Sequence, residues 1–369
     1  MTNFEKFHLS ESLLKALKAM GYVTPTPIQE QAIPIVLTGR DLVGLAQTGT
    51  GKTAAFGIPI IMALQKDPQA QALILVPTRE LALQIHTVFK DLARYSINFS
   101  SCVLIGGVSM YAQTRAMPRR PRLVIATPGR IIDHLQQRTL SLSGFGIVVL
   151  DEADRMLDIG FEPQIRRVLQ HVPKQRQSLL FSATFPKTIE RLASQYMVNP
   201  ARVSIGKVAE PVTKIEQLVV NTTSADKNSA LVKELNERKG SVLIFARTKH
   251  RTDRLARYLN EQGFKAERIH GNRTQGQRVK AMQAFRTQDV RILVATDIAS
   301  RGIDVPHIAH VVNYDLPEDA KDYVHRIGRT ARAGAGGNAL CLLTPEDRWK
   351  WREISRFVTQ KSSPQAVPV

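Results

Sequence analysis

The sequence is poor in cysteine, in aromatic residues and in long apolar runs. Its two cysteines, Cys102 and Cys341, are far apart and each lies in an apolar stretch, so we expect neither a disulfide nor a structural metal site. No run of about 18 uncharged apolar residues is present to span a membrane. Residues 1–7 lack the basic and then apolar pattern of a secretory signal, and we therefore expect a cytoplasmic protein with no membrane partner.

Acidic residues are scarce relative to basic ones. The chain has 51 Lys and Arg against 32 Asp and Glu, a formal net charge of +19. A strongly cationic surface attracts phosphate backbones whatever their base sequence, although a generally basic surface without such a partner is the alternative. Aromatic residues make up 6% of the chain and do not cluster in the stacking pattern of RNA-recognition sheets. We therefore expect any nucleic acid to be held by its backbone.

The apolar runs that are present have the length of buried strands. They are about four to six residues long, alternate with helical patterns, and follow this rhythm in both halves of the chain. Because they lack polar alternation, they predict parallel strands buried on both faces, and hence an α/β fold in which each parallel sheet is flanked by helices. The clearest runs are residues 73–76, 123–126, 147–150, 242–245, 292–294 and 311–312.

The chain length predicts two domains. At 369 residues it is about twice the length of a typical domain of roughly 150. The polar stretch 206–211 carries glycine and proline at its ends and fits a short linker. We predict a first domain over residues 1–206, a linker over 207–212, a second domain over 213–360 and a disordered tail over 361–369.

The first candidate site is a glycine-rich turn between the apolar stretch 42–45 and a helical pattern. Glycines let the backbone curl so that N–H groups and a helix N-terminus face phosphate oxygens, as in a P-loop. Lys52 can neutralise the β- and γ-phosphates of a nucleotide, and the Thr53 hydroxyl can ligate Mg²⁺. Ala46 stands where the common pattern begins with glycine. The predicted loop consists of Ala46, Gln47, Thr48, Gly49, Thr50, Gly51, Lys52 and Thr53.

A cluster of carboxylates follows the buried run 147–150. It stands at the C-terminal end of a predicted parallel strand, which is where open α/β sheets bind ligands. Asp151 is suited to hold Mg²⁺ through water, and Glu152 to orient or deprotonate the water that attacks a phosphate. Alone, Asp-Glu-Ala-Asp could be a solvated helix cap. The P-loop upstream favours the catalytic interpretation.

With these residues and further motifs, the chain resembles the DEAD-box RNA helicases, and in general appearance those of the bacterial RhlE type. The resemblance covers nearly the whole chain. The further motifs are Gly21-Tyr22 with Pro25 and Gln29, residues 77–82, Gly106-Gly107, Thr127 to Arg130, Ser182 to Thr184, Phe245 to Thr248, Gln275 with Arg278, Ala295 to Asp297, Arg301 to Asp304 and His325 to Arg329. The resemblance implies an ATP-dependent RNA helicase built of two tandem RecA-like domains, with ATP and Mg²⁺ as cofactors.

The resemblance assigns adenine recognition to Gln29, whose side-chain amide has the donor and acceptor needed for N7 and N6 of adenine. Phe7 or Tyr22 could stack on the adenine ring. The alternative for both aromatic residues is ordinary core packing against the helix predicted over residues 10–20. Selection of ATP is therefore attributed mainly to Gln29.

The second half has no P-loop, so we expect it to complete the first site. Arg326 and Arg329 are three positions apart, which on a helix places them on one face. They are candidate arginine fingers for the γ-phosphate, which typically raise turnover by about 10³ to 10⁵, and a solvated basic face is the alternative. The resemblance adds Asp304 as a ribose contact and His325 as a coupling residue.

By resemblance, His325 links Asp154 to Ser182 and Thr184, and RNA crosses both domains. Glycine N–H groups, hydroxyls and guanidinium groups suit contacts with the RNA backbone and read no base. Arg79 and Arg130 have an alternative role as residues bonded to the chain itself. The implied RNA-binding residues are Pro77, Thr78, Arg79, Gly106, Gly107, Thr127, Pro128, Gly129, Arg130, Arg247, Arg278 and Thr296.

The expected activity is local separation of short duplexes. Stacking in DNA is worth about 1.4 kcal/mol per step, so ten pairs represent roughly 14 kcal/mol if RNA is comparable. One rival is a clamp that binds ATP and RNA with little turnover, against which Glu152, Arg326 and Arg329 argue. The other is a DNA-directed translocase, against which Gln29 and the Asp-Glu-Ala-Asp sequence argue. We expect a monomer whose partner is RNA, with ribosome precursors and RNA-decay proteins as candidate further partners.

Overall fold

A computed structural model describes residues 3–47, 49–96, 99–205, 215–297, 305, 308–330 and 337–362. The chain divides into two compact units, with the division after Val208. The predicted linker, residues 207–212, and most of the predicted tail lie outside the described residues.

The first unit is a seven-stranded parallel sheet flanked by helices. Its strands stand in the order β3-β4-β2-β5-β6-β1-β7. They are β1 (Leu42–Leu45), β2 (Ala72–Leu75), β3 (Ser101–Leu104), β4 (Leu123–Ala126), β5 (Ile147–Leu150), β6 (Gln177–Ser182) and β7 (Ala201–Ser204). The helices are α1 (Glu11–Ala19), α2 (Pro27–Leu37), α3 (Lys52–Lys66), α4 (Arg79–Leu92), α5 (Met110–Ala116), α6 (Pro128–Gln136), α7 (Ala153–Asp158), α8 (Glu162–Leu169) and α9 (Lys187–Tyr196).

The second unit is a six-stranded parallel sheet with the strand order β10-β11-β9-β12-β13-β8. The strands are β8 (Ile215–Asn221), β9 (Val242–Phe245), β10 (Ala266–Ile269), β11 (Ile292–Ala295), β12 (His310–Asn313) and β13 (Gly337–Leu343). Its helices are α10 (Lys227–Glu237), α11 (Lys249–Glu261), α12 (Gln275–Arg286), α13 (Ala320–Ile327) and α14 (Arg348–Ser362).

The inner strands β2, β4, β9 and β11 are buried on both faces, which is why they are apolar without alternation. In β2, Ile74 faces one core and Leu73 the other, because successive side chains of a strand point to opposite faces. The two faces of β13 are likewise covered by different helices, with Leu342 packing in the core that includes α11 and Cys341 in the core that includes α14. The α/β class with two parallel sheets is therefore confirmed. Among the described residues, no helix combines the length and the apolar character needed to cross a membrane.

Candidate active site and RNA-binding face

The predicted motifs of the first unit follow strands that end at one edge of its sheet. The strand ends are in register, so that Leu45 pairs with Ser182 and Leu75 pairs with both Leu150 and Ala126. The nucleotide motifs follow β1, β5 and β6, which are neighbours in the sheet, and the motifs assigned to RNA follow β2, β3 and β4, which are also neighbours. We call the part of this edge at β1, β5 and β6 the nucleotide half, and the part at β2, β3 and β4, which carries the motifs assigned to RNA, the RNA half.

The P-loop connects β1 to α3 and includes two glycines in the left-handed backbone conformation. Gly49 has φ 88° and Gly51, the residue before α3, has φ 93°, values that favour glycine over any residue with a Cβ. Lys52 follows in the first turn of α3 and is only 6% exposed. Its Nζ is buried with no hydrogen-bond partner among the described residues, which leaves it suited to bind an external anion. Thr48 lies outside the described residues.

Gln29 lies directly against the P-loop. Its Nε2 donates to the Gly51 carbonyl oxygen over 3.1 Å, and its Oε1 accepts the Thr26 N–H over 3.0 Å. A Cβ on Gly51 would collide with the Gln29 amide, so glycine is also required there by close approach. An amide has two hydrogens and two acceptor lone pairs. One donor and one acceptor of Gln29 therefore remain for adenine.

The two aromatic candidates for adenine stacking have packing partners. Phe7 is buried in the first core and meets Phe4 edge to face, with ring centres 6.0 Å apart. Tyr22 is half-buried and stacks on Phe4 at 6.4 Å. Core packing, the alternative considered above, describes both rings in this structure. Stacking of either on adenine stays a prediction.

The Asp-Glu-Ala-Asp segment joins β5 to α7 and buries its carboxylates. Asp151 is 2% and Glu152 5% exposed, and the Glu152 N–H donates to Asp151 Oδ1 over 2.9 Å. Burial raises the pKa of Asp151 to about 6, while the nearby Lys52 acts in the opposite direction. A buried carboxyl beside an unpartnered ammonium fits a site for a phosphate and a hydrated Mg²⁺.

Glu152 has a partner that the sequence analysis missed. Arg155 Nη1 lies 3.0 Å from Glu152 Oε2, and both side chains are largely buried. Glu152 itself has φ 51°, an uncommon conformation that places it before the first turn of α7. The signal available in the sequence was a basic residue three positions after the carboxylate. Arg155 fixes the direction in which the Glu152 carboxylate points.

Asp154 is bonded directly to the segment after β6. Its Oδ2 accepts hydrogen bonds from the Ala183 N–H (3.1 Å), the Thr184 N–H (2.9 Å) and the Thr184 hydroxyl (2.8 Å). The Asp154 N–H donates to Ser182 Oγ over 3.3 Å. Within the first unit, Asp154 therefore connects directly to Ser182 and Thr184, and the link through His325, which belongs to the second unit, stays a prediction.

On the RNA half, Arg79 begins α4 and packs on the loop after β3. A Cβ on Gly107 would collide with the Arg79 guanidinium group, and one on Gly106 would lie 3.1 Å from it. Gly107 also has φ 77°, so two physical reasons favour glycine there. Thr78 is the N-cap of α4, and its Oγ1 accepts the Leu81 N–H over 3.2 Å.

Helix α6, which follows β4, also contacts the loop after β3. Arg130 Nη2 donates to the Val108 carbonyl oxygen over 3.0 Å, which is the chain-bonded alternative considered for this residue. The buried His134 lies 3.3 Å from Gln113 Oε1, and Gln113 Nε2 donates to the Ile105 carbonyl oxygen over 2.7 Å. Thr127, Pro128 and Gly129 form the start of α6. His134 and Gln113 were not predicted from the sequence as residues that support this loop.

In the second unit, Arg326 is bonded inside its own unit. Its Nε and Nη2 bind the two Asp297 carboxylate oxygens over 2.6 and 2.7 Å, and its Nη1 donates to Asn313 Oδ1 and the Asp315 carbonyl oxygen. Four of its five N–H groups are thereby used, and it is 2% exposed. This contact set argues against Arg326 as a finger.

Arg329 does not share a helix face with Arg326, contrary to the expectation from spacing. Helix α13 ends at Ile327, Gly328 is its C-cap, and Arg329 follows outside it. Its Nε donates to the His325 carbonyl oxygen over 3.3 Å. Asp304, the predicted ribose contact, lies outside the described residues.

The RNA candidates of the second unit also follow strand ends. Arg247 follows β9, is 46% exposed, and has its Nε 3.7 Å from Glu318 Oε1. Thr296 follows β11. Gln275 and Arg278 lie in the first turn of α12 and are 8% and 6% exposed. The Gln275 amide is buried without a hydrogen-bond partner among the described residues, a further candidate for ligand contact.

The fold and the first site define a P-loop nucleotide hydrolase with two α/β units, and comparison with known proteins gives its family. The DEAD/DEAH box helicase family matches residues 26–192, and the helicase conserved C-terminal domain matches residues 226–334. The chain is 42% identical to the ATP-dependent RNA helicase CshA of Listeria monocytogenes, over 100% of this chain and 71% of that protein. It is 41% identical to the DEAD-box ATP-dependent RNA helicase CshA of Bacillus subtilis, over 99% and 74%.

Two solved structures are similar over nearly the whole chain. S. cerevisiae Dbp5 bound to RNA and ADP BeF3 has a TM-score of 0.87 and 30% identity, covering 98% of this chain and 93% of that one. Mss116p bound to ssRNA and AMP-PNP has a TM-score of 0.85 and 31% identity, covering 96% and 76%. The chain belongs to the DEAD-box family of ATP-dependent RNA helicases, as the resemblance implied. The bacterial relatives named above are CshA proteins, so the RhlE-like subtype stays a prediction.

Proposed function

We propose that the chain is an ATP-dependent RNA helicase that separates short RNA duplexes locally or remodels RNA–protein complexes. The strand order of the first sheet carries this proposal, because it sets the P-loop and the buried carboxylates beside the motifs assigned to RNA on one edge. A change in nucleotide state at β1, β5 and β6 can then be transmitted to β2, β3 and β4 through a single rigid sheet. The proposed location is the cytoplasm and the proposed form a monomer.

In the proposed reaction, Lys52 neutralises the β- and γ-phosphates, and Glu152 orients and deprotonates the attacking water. The Thr53 hydroxyl would hold Mg²⁺ directly and Asp151 through water; when bound, the ion supplies charge neutralisation at the phosphate oxygens. The unpartnered Lys52 ammonium and the buried Asp151 carboxyl support these roles. Arg155 is a positioning residue, since it acts through the Glu152 carboxylate.

Arg329 is the proposed arginine finger. Arg326 is left out of this role because its guanidinium group is bonded to Asp297 and β12. By the family resemblance, Asp304 contacts the ribose and His325 couples the second unit to Asp154. Because a finger adds about 10³ to 10⁵ in rate, turnover depends on its approach to the γ-phosphate, and RNA binding to both units is the proposed trigger.

RNA is proposed to be held by its backbone. The main-chain N–H groups of Gly106 and Gly107 and the hydroxyls of Thr127 and Thr296 are suitable donors to phosphate oxygens. Arg79 and Arg130 hold the glycine loop in place, and this role fits their contacts with it. Without base contacts, sequence specificity is low, which suits ribosome precursors and RNA-decay complexes as candidate substrates.

The variant Glu152→Gln tests the proposed chemistry. It removes the base but keeps the size of the side chain, so ATP and RNA should bind while phosphate release falls by about 10² or more. Glu162→Gln is the matched control, because Glu162 is half-exposed and pairs with Arg166 on its own helix, α8. Phosphate release from Glu152→Gln at the wild-type rate would remove Glu152 from its role.

A further inference from the structure

The last helix, α14, exposes a tryptophan among arginines. Trp349 is 61% exposed, although a side chain of this size is usually largely buried. Arg348, Arg352 and Arg356 are exposed as well. At 3.6 residues per turn, these side chains fall within an arc of about 100°. We call these four residues the α14 face.

The arginines of the α14 face are free to bind a ligand. Among the described residues, no ion pair or side-chain hydrogen bond engages the guanidinium group of Arg348, Arg352 or Arg356. Helix α14 contains one acidic residue, Glu353, against five basic ones. This composition complements a polyanion.

The α14 face is connected to a residue already assigned to RNA. Helix α14 begins beyond the carboxyl end of β13, at the sheet edge where Arg247 follows β9. Lys350 Nζ donates to Glu318 Oε2 over 2.6 Å, and Arg247 Nε lies 3.7 Å from the other oxygen of the same carboxylate. Lys350 Nζ also lies 5.8 Å from the centre of the Trp349 ring. A short chain of contacts therefore joins Arg247 to Trp349 within the second unit.

We propose that the α14 face extends the RNA-binding surface and takes the single strand beyond Arg247. In this arrangement the Trp349 indole stacks on a base, and the three arginines contact phosphates. Every base has a π-face, so such stacking tolerates any sequence, and the guanidinium group matches phosphate geometry. The inference rests on the proposed function. An acidic protein surface would pair with the arginines too, but it offers no specific partner for a single exposed indole.

The fluorescence of Trp349 gives the most direct test. The chain has two tryptophans, and Trp351 packs edge to face on Tyr323 with ring centres 5.6 Å apart. Trp351→Phe keeps that ring contact and leaves Trp349 as the only reporter. We expect single-stranded RNA of about 20 nucleotides to quench it and an RNA of about 6 nucleotides to do so much less. Binding of the long RNA without quenching would overturn the inference.

Affinity measurements separate this inference from the proposed function. Trp349→Ala and Arg352→Ser should each lower the ratio of affinities for long and short RNA, by about ten-fold for the tryptophan. Arg257→Ser is the control, because Arg257 is exposed on α11, which lies on the opposite face of the sheet from α14. The ratio of affinities for long and short RNA should be the same in this variant as in wild type. If both α14 variants had the wild-type ratio of affinities for long and short RNA, the inference would be overturned, and a protein partner would be the remaining candidate ligand of the α14 face. Failure of wild type to bind RNA at all would instead refute the proposed function.

Discussion

The buried cations of this protein differ in what neutralises them, and the difference assigns their roles. Arg326 has both oxygens of Asp297 and two further acceptors, whereas Lys52 has no hydrogen-bond partner among the described residues. Leaving a buried charge unpaired costs several kcal/mol. We therefore expect Lys52 to bind a phosphate from outside the chain, and Arg326 to hold β11, β12 and α13 together.

The variant Arg326→Ala should be strongly destabilised. It leaves Asp297 without its bidentate partner, and breaking a buried ion pair typically costs about 3 to 5 kcal/mol. Denaturant unfolding of the intact chain measures this loss, with the exposed Arg257→Ala as the control. If Arg326→Ala unfolds like wild type yet loses RNA-stimulated turnover, Arg326 is a finger after all.

Motif spacing predicted the residues that we propose contact the nucleotide, but not the residues that hold them. Lys52, Asp151 and Glu152 were predictable because a P-loop and a strand-end carboxylate have fixed chemical tasks. Arg155 was missed because an arginine on a short helix has many possible partners. Arg326 was predicted as a finger because the sequence shows the interval to Arg329, but it shows neither the acceptors around Arg326 nor the end of the helix.

At the scale of elements, the loop that carries Gly106 and Gly107 is held between two helices. Arg79 of α4 packs on it, and α6 holds it through Arg130 and through His134 by way of Gln113. The loop thus keeps its shape without a bound strand. We expect RNA affinity to depend on this support as much as on direct contacts.

Gly107→Ala should weaken RNA binding. The added Cβ collides with the Arg79 guanidinium group. Alanine in the left-handed conformation of residue 107 costs roughly a further 1 to 2 kcal/mol. We expect about a ten-fold loss of RNA affinity or more, measured by anisotropy of labelled RNA. Gly146→Ala, just before β5 and outside the motifs assigned to RNA, is the matched control, because no atom lies within 4 Å of the added Cβ. Equal affinities for the two variants would contradict the account of this loop.

Acid should destabilise the first unit through His134. Burial, with Arg130 adding to its effect, lowers the pKa of His134 below its ordinary 6.5. The neutral ring is therefore favoured in the fold, so its contribution to stability is complete above pH 6.5 and is lost as the pH falls. Between about pH 7 and pH 5, His134→Gln should therefore lose less stability than wild type. Thermal unfolding across this range checks it, and identical pH dependence of both proteins would refute it.

At the scale of the whole molecule, the sequence predicted the class of fold but not the arrangement of its strands. Apolar runs such as residues 147–150 and 242–245 coincide with β5 and β9, because a strand buried on both faces needs apolar residues throughout. Nothing in these runs indicates that β5 stands between β2 and β6. That order depends on packing between distant segments, and it is what divides the edge into nucleotide and RNA halves.

The net charge of +19 acts on the molecule as a whole and does not distinguish RNA from DNA. Discrimination must come from contacts with the 2′-hydroxyl groups of the ribose. A difference between RNA and DNA in the rate of ATP hydrolysis therefore reports on the residues that contact the strand and not on the net charge of the chain.

We expect RNA bound at this sheet edge to stimulate ATP hydrolysis at Lys52, Asp151 and Glu152. Phosphate release by the intact chain at saturating ATP tests it, with single-stranded RNA, with DNA of the same sequence, and with no nucleic acid. We predict slow release without nucleic acid or with DNA, and release faster by about 10-fold or more with RNA. The same rate under all three conditions would show that RNA does not stimulate ATP hydrolysis by this chain.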